Sequence, residues 1–182
     1  MLEPKFVPFP TLQTERLLLR KMVKEDAAEI LQLRSDEQVM RYIDKKRATN
    51  IEEAIMWLEI IEEALENNNG ITWGISLKDS PQLLIGSIGY WRLIKEHFRA
   101  EIGYMLNPDY WKKGFMKEAI LTVIDFGFGK LKLHSIEAHI NSGNMASANI
   151  LTATGFVKEA YFKENFYFDG SFRDTIIYSR LK

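Results

Sequence analysis

The sequence predicts an α+β fold in which one mixed, mostly antiparallel twisted sheet is covered by helices on both faces. Three observations carry this prediction. Apolar residues recur at helical spacing from Lys24 to about Gly70 and then switch to a period of two. Three consecutive strand-like runs follow, joined by short polar turns, as in a meander. A strand–helix–strand unit over residues 98–140 then supplies a parallel element.

The elements follow in order. Residues 14–22 (TERLLLRKM) read as a leucine-dense strand, and residues 24–43 as one helix with Ala27, Ile30, Leu31 and Leu33 near helical spacing. After the polar loop DKKRATN, Thr49 or Asn50 is placed to cap an amphipathic helix that the asparagine run and Gly70 stop. Residues 71–78, 83–94 and 98–106 form the meander. A helix over 117–131, a strand over 134–140 and a helix over 144–154, closed by Gly155, come next. Two aromatic-rich strands around the hairpin signal Asp169-Gly170 end the chain.

The 182 residues suit one domain with a substantial core. With 46% apolar and 27% charged residues the composition is that of a soluble globular protein. A net charge of −1 gives no global attraction to nucleic acid or anionic membrane, so an anion site has to be local. The absence of cysteine excludes disulfides, a thiol nucleophile and thiolate metal ligands, and it fits a cytoplasmic setting. No run reaches the length of a membrane span, and the proline-broken start is not a signal peptide.

One stretch points to chemistry. In NPDYWKKGFMKEAI (107–120) an apolar strand ends, two lysines and a glycine follow, and a helix begins. Backbone N–H groups and the positive end of a helix dipole converge at such a corner, which can hold an anion. A plain strand-to-helix corner with solvated lysines has the same pattern, so both readings stand on these residues alone.

Three segments at their proper separations resemble the GNAT N-acetyltransferases, and within them the RimJ/RimL-type branch that acetylates protein N-termini. They are TERLLLR followed by KEDAAEI, AEIGYMLNPDYWKKGFMKEA, and NMASANILTATGF. The resemblance runs from about Leu12 to the end. It implies a single GNAT-like domain over residues 1–182, with an acetyl-CoA segment at about 98–156 and acceptor-side helices at about 24–67. It implies acetyl-CoA as donor and a primary amine as acceptor, foremost a protein N-terminus such as that of a ribosomal protein. A small-molecule amine (polyamine, amino acid or drug) and a non-catalytic acyl-CoA-binding module are the alternatives.

The family's cofactor loop, Q/R-x-x-G-x-G/A, falls on Trp111, Lys112, Lys113, Gly114, Phe115 and Met116. Gly114 matches, Trp111 replaces Gln/Arg as is usual in this branch, and Met116 replaces the last small residue. The resemblance places the pyrophosphate on amides from Lys113 to Lys117, with the Lys112, Lys113 and Lys117 side chains nearby. The Cβ of Met116 is expected to narrow that approach. The preceding strand is expected to splay from its neighbour and offer backbone groups of Met105 and Leu106 to the pantetheine arm. Asn144 is expected to bond the cofactor, to cap its helix, or both.

Direct transfer needs a base for the ammonium proton, a donor for the leaving sulfur and a donor for the oxyanion. Glu101 is the candidate base, sharing a strand face with Gly103 and Met105. An edge glutamate facing water is the plain alternative. Leu151 stands where many relatives carry a tyrosine, and the resemblance implies Ser147 as the acid, since it occupies the place of a serine in the RimJ/RimL branch. A backbone amide near Leu106 is the candidate oxyanion donor.

His97, His134 and His139 lack metal spacing, and His139 is expected in the core or in a supporting position. GSIG and GFGK match neither a nucleophile elbow nor a P-loop. Met40, Tyr42 and Trp57 are candidates to touch the acceptor. The aromatic tail fits either a homo-oligomer contact or simple burial.

Overall fold

Thr14 interrupts the strand expected over residues 14–22. Its hydroxyl accepts the Leu17 N–H at 2.8 Å, and its own N–H reaches the Leu17 carbonyl at 3.0 Å. In the computed structural model, which describes all of residues Met1–Lys182, the chain therefore turns back into a hairpin of β1 (Leu12–Gln13) and β2 (Leu17–Arg20).

The helix expected over residues 24–43 is likewise divided. A 3₁₀ turn (Lys24–Asp26) leads into α1 (Ala27–Ser35), Asp36 is extended, and α2 (Glu37–Met40) starts anew. The cause is local: Asp36 Oδ1 accepts the Val39 N–H at 2.9 Å, which is the N-cap bond of a fresh helix. α3 (Ile51–Glu66) begins as expected. Asn50 Oδ1 accepts the Glu53 N–H at 3.0 Å, and Glu53 Oε2 accepts the Thr49 N–H at 2.8 Å.

The meander comprises β3 (Ile71–Leu77), β4 (Gly86–Ile94) and β5 (Arg99–Leu106). β4 starts at Gly86, later than expected, and a turn closed by the Leu83 N–H on the Ser80 carbonyl, at 3.1 Å, takes up the first of the positions assigned to it. Then come α4 (Phe115–Gly129), β6 (Ser135–Asn141), α5 (Met145–Ala153), β7 (Val157–Phe168) and β8 (Ser171–Leu181). α4 begins two residues ahead of the expected Lys117, at Phe115. All eight strands form one sheet in the order β1-β2-β3-β4-β5-β6-β8-β7, antiparallel except between β5 and β6.

That exception positions the site. β5 and β6 pair only at Arg99–Ser135, Ala100–Ile136 and Glu101–Glu137. Beyond Glu101 the strands part, leaving the rest of β5 with one open edge, as the resemblance implied. A bulge in β4 between Tyr90 and Arg92 lies at the same level, where it adds local twist.

The sheet is covered on both faces. One face packs Ala100, Ile102 and Leu106 of β5 with Ala119, Ile120, Val123 and Ile124 of α4 in a cluster of 26 buried residues. Burying Ile120, Val123 and Ile124 contributes about 2 kcal/mol each. The other face joins Met105 to Met22, Ile30, Leu33, Val39, Ala54 and Leu84. Strand alternation puts Glu101 and Gly103 on this second face. The final turn has the expected left-handed residues, Asp169 (φ 49°) and Gly170 (φ 79°). Around it Phe166, Tyr167 and Phe172 are exposed, so core burial accounts for Tyr178 of this tail but not for these three. No helix is long and apolar enough to cross a membrane.

Candidate active site

Where β5 and β6 part, a cleft of about 550 Å³ opens between the second half of β5, the 111–114 turn and the starts of α4 and α5. Met105, Leu106, Trp111, Lys112 and Gly114 line it from the strand and the turn. Phe115, Met116, Lys117, Asn144 and Ser147 line it from the two helices. Lys113 and Glu101 do not border it.

The turn is built to leave amides open. Gly114 sits at φ 81°, a conformation that a side chain disfavours, and a Cβ there would lie 3.4 Å from Arg16 Nη2. Glu118 N–H to the Gly114 carbonyl, at 3.1 Å, is the first bond of α4, and no side chain caps the helix. The amides of Phe115, Met116 and Lys117 therefore lack an intrahelical acceptor and suit an anion. Arg16 holds this geometry from the turn before β2: Nη1 donates to the Lys113 carbonyl at 3.0 Å, and Nε donates to Glu118 Oε2 at 2.8 Å. Burial pushes the Glu118 carboxyl up, but hydrogen bonds from Thr14 and Arg16 outweigh it and hold it below the usual carboxylate range. Sequence reasoning missed Arg16, because nothing local links it to a loop about a hundred residues away.

One expectation needs correction, that for Met105, while Met116 has a packing role besides the one expected of it. Met116 is only 8% exposed and belongs to the main core, so most of its side chain packs inward and only its border meets the cleft. The backbone of Met105 is not on offer. Asn107 N–H bonds the Ile85 carbonyl at 2.8 Å, so by strand alternation Met105 also directs its N–H and C=O at β4. Leu106 and Tyr104 point theirs at the opening instead. The Leu106 carbonyl is already taken by Trp111 Nε1 at 2.7 Å, which leaves the Leu106 N–H and the backbone of Tyr104.

Across the cleft, Ser147 is 7% exposed and its Oγ lies 2.6 Å from the Tyr104 hydroxyl. Burial pushes the Tyr104 phenol up to about 12, with the Ser147 contact acting in the opposite direction. Tyr104 was not among the predicted site residues; its sequence signal was a tyrosine in the cofactor strand, and only the tertiary pairing reveals its partner. Asn144 Oδ1 accepts the Ser147 N–H at 3.0 Å, so Asn144 caps α5 and also borders the cleft. Leu151 is fully buried in the core.

Glu101 stands at the last rung before the strands part, 5% exposed, and does not face open water. Arg92 Nη2 lies 2.8 Å from Glu101 Oε2 and 3.4 Å from Glu137 Oε1, and Arg99 pairs with Glu137. Burial pushes the Glu101 carboxyl up to about 7; Arg92 pulls it down and Glu137 pushes it further up. His139 places Nδ1 3.9 Å from Glu101 and Nε2 3.6 Å from Glu137, and burial holds its pKa below the usual value. His139 therefore lies at the rim of this ion-pair cluster and not in the core. Tyr42 borders the main cleft, Met40 a neighbouring one, and Trp57 neither.

Comparison with known proteins identifies the family. A family model described as an acetyltransferase (GNAT) domain matches residues 16–157. The chain is 38% identical over 174 residues to the uncharacterized N-acetyltransferase YoaA of Bacillus subtilis, covering 96% of this chain and 98% of that protein. It is 27% identical over 121 residues to the ribosomal protein uS5-alanine N-acetyltransferase of Escherichia coli, covering 66% and 62%. The solved spermidine N-acetyltransferase of Vibrio cholerae, in complex with CoA and spermine, superposes with a TM-score of 0.81 at 23% identity, over 92% of this chain and 96% of that one. The last is a likeness of fold.

Proposed function

The chain belongs to the GNAT acetyltransferase family and is an acetyl-CoA-dependent N-acetyltransferase; from that premise we propose that its acceptor is the N-terminal amine of a polypeptide, of the RimJ/RimL type. One observation carries the reading of the site: β5 loses its partner just past Glu101, and the opened edge, the free amides of α4 and Ser147 border one cleft. The donor's pyrophosphate rests on the amides of Phe115, Met116 and Lys117, with Lys112 and Lys117 supplying charge and the Lys113 carbonyl tying the turn to Arg16. Its pantetheine arm runs back along β5 against Tyr104 and Leu106, with Asn144 at the opposite wall. That direction brings the thioester toward Glu101.

The amine nitrogen attacks the thioester carbonyl, forming the amide C–N bond and breaking the C–S bond. Glu101 accepts the ammonium proton, bridged by a water because it stands just outside the cleft. A carboxyl near 7 is half ionised at neutral pH, which suits a base. The Leu106 or Tyr104 N–H meets the oxyanion. Ser147 gives its proton to the departing thiolate, with the Tyr104 hydroxyl orienting it, and regains one from the nitrogen, which sheds its remaining extra proton as the amide forms.

The polypeptide acceptor is supported by the uS5-alanine relative. CoA release, followed with a thiol reagent over N-terminal peptides, polyamines and amino acids, tests it. Turnover of peptides supports it; turnover of polyamines or amino acids alone refutes the acceptor and keeps the chemistry.

A further inference from the structure

A second cleft, of about 520 Å³, lies on the other side of α2, and Arg41 borders both clefts. Its walls are the segment after α2 and the tip of the β7–β8 hairpin. Five cations line it, Arg41, Lys45, Lys46, Arg47 and Arg173, against two carboxylates, Glu37 and Asp169. Arg173 pairs with Asp44 at 2.5 Å, which ties the hairpin tip to the segment after α2. Arg47 only approaches Glu37, at 3.8 Å, and Arg41, Lys45 and Lys46 form no ion pair. The whole chain carries −1, so this is a local concentration of positive charge.

We propose that this cleft binds an acidic polypeptide segment, namely the residues that follow the amine to be acetylated. The inference rests on the acetyl-transfer reading above and narrows its acceptor. The cofactor's phosphates do not explain the cations, because their amides and lysines lie across α2 at residues 112–117. The shared wall at Arg41 lets a chain whose amine occupies the first cleft lay its next side chains in the second. Exposed ion pairs are individually weak, so several carboxylates in a row are needed for useful selectivity. A polyamine meets repulsion here. A nucleic acid needs a basic track longer than one cleft, and the balanced chain charge supplies none.

The test uses the full chain saturated with CoA and the anisotropy of labelled peptides identical but for a run of several Glu, Gln or Lys residues after the first residue. At low salt the Glu peptide binds about tenfold tighter than the Gln peptide, and added salt erases the difference. Lys45→Glu combined with Lys46→Glu abolishes the preference. Glu37→Gln, which removes a lining carboxylate, tightens binding of the Glu peptide about twofold. Equal binding of the three peptides, or a preference that survives the double substitution, overturns the proposal. So does displacement of the Glu peptide by an oligonucleotide of equal charge that binds more tightly. CoA release with acetyl-CoA in the same mixtures separates the two readings. Selective binding of the Glu peptide without release keeps the cleft assignment and contradicts peptide acetylation; release with all three peptides alike does the reverse.

Discussion

Tyr104 and Ser147 bring their hydroxyls to 2.6 Å across the cleft, joining β5 to the first turn of α5. If Ser147 protonates the leaving thiolate, Ser147→Ala lowers kcat about a hundredfold while leaving the KM for acetyl-CoA nearly unchanged. Tyr104→Phe removes only the orienting contact and lowers kcat about threefold to tenfold. The double variant is no slower than Ser147→Ala, because the tyrosine acts through the serine. Steady-state kinetics of the three variants checks this.

If Glu101 is the base, it sets a pH dependence. The base works ionised, so kcat/KM falls as pH drops below about 7 and levels off above it. Glu137→Gln removes a like charge and moves the inflection down; Arg92→Ala removes a counter-charge and moves it up. Glu101→Gln abolishes the inflection and lowers kcat/KM about a hundredfold. Profiles of the four proteins on one acceptor test these signs.

The same carboxyl affects stability. Its folded pKa is about 7 against an ordinary 4.5, so the folded state favours the protonated form. The stabilisation is full below about 4.5 and is lost as pH rises to about 7. Glu101→Gln therefore raises Tm more at pH 8 than at pH 5, which thermal melts at the two pH values read directly.

Gly114 is required for its backbone. Gly114→Ala places a Cβ at φ 81° and costs about 1 kcal/mol of stability, while CoA affinity falls about tenfold as the amides shift. Calorimetry with CoA, beside a thermal melt, separates the two effects.

Local chemistry explains which parts of the fold were legible in the sequence. The Asn50 cap, the Asp169-Gly170 turn and the Gly114 corner each announce themselves within a few residues. The breaks at Thr14 and Asp36 were not legible, because a side chain that caps a new turn also fits the middle of a longer element. The backbone directions of Met105 and Leu106 depend on which residues β4 bonds, and that register is not visible in β5. The Arg16 clamp and the Tyr104–Ser147 pair join distant segments, so only the folded chain reveals them.

Met116 shows how this matters at the site. Its burial means that Met116→Ala opens a cavity costing about 2–4 kcal/mol, without tightening CoA binding more than about threefold. A large gain in affinity would show instead that its side chain obstructs the pyrophosphate.

The central claim is that the acceptor is a polypeptide α-amine. Tandem mass spectrometry of a peptide bearing both a free N-terminus and an internal lysine, incubated with the enzyme and acetyl-CoA, tests it most directly. The acetyl group is expected on the N-terminal nitrogen alone, with the product falling about a hundredfold in Glu101→Gln. Acetyl on the lysine, or none on the peptide while spermidine in the same tube is acetylated, contradicts it.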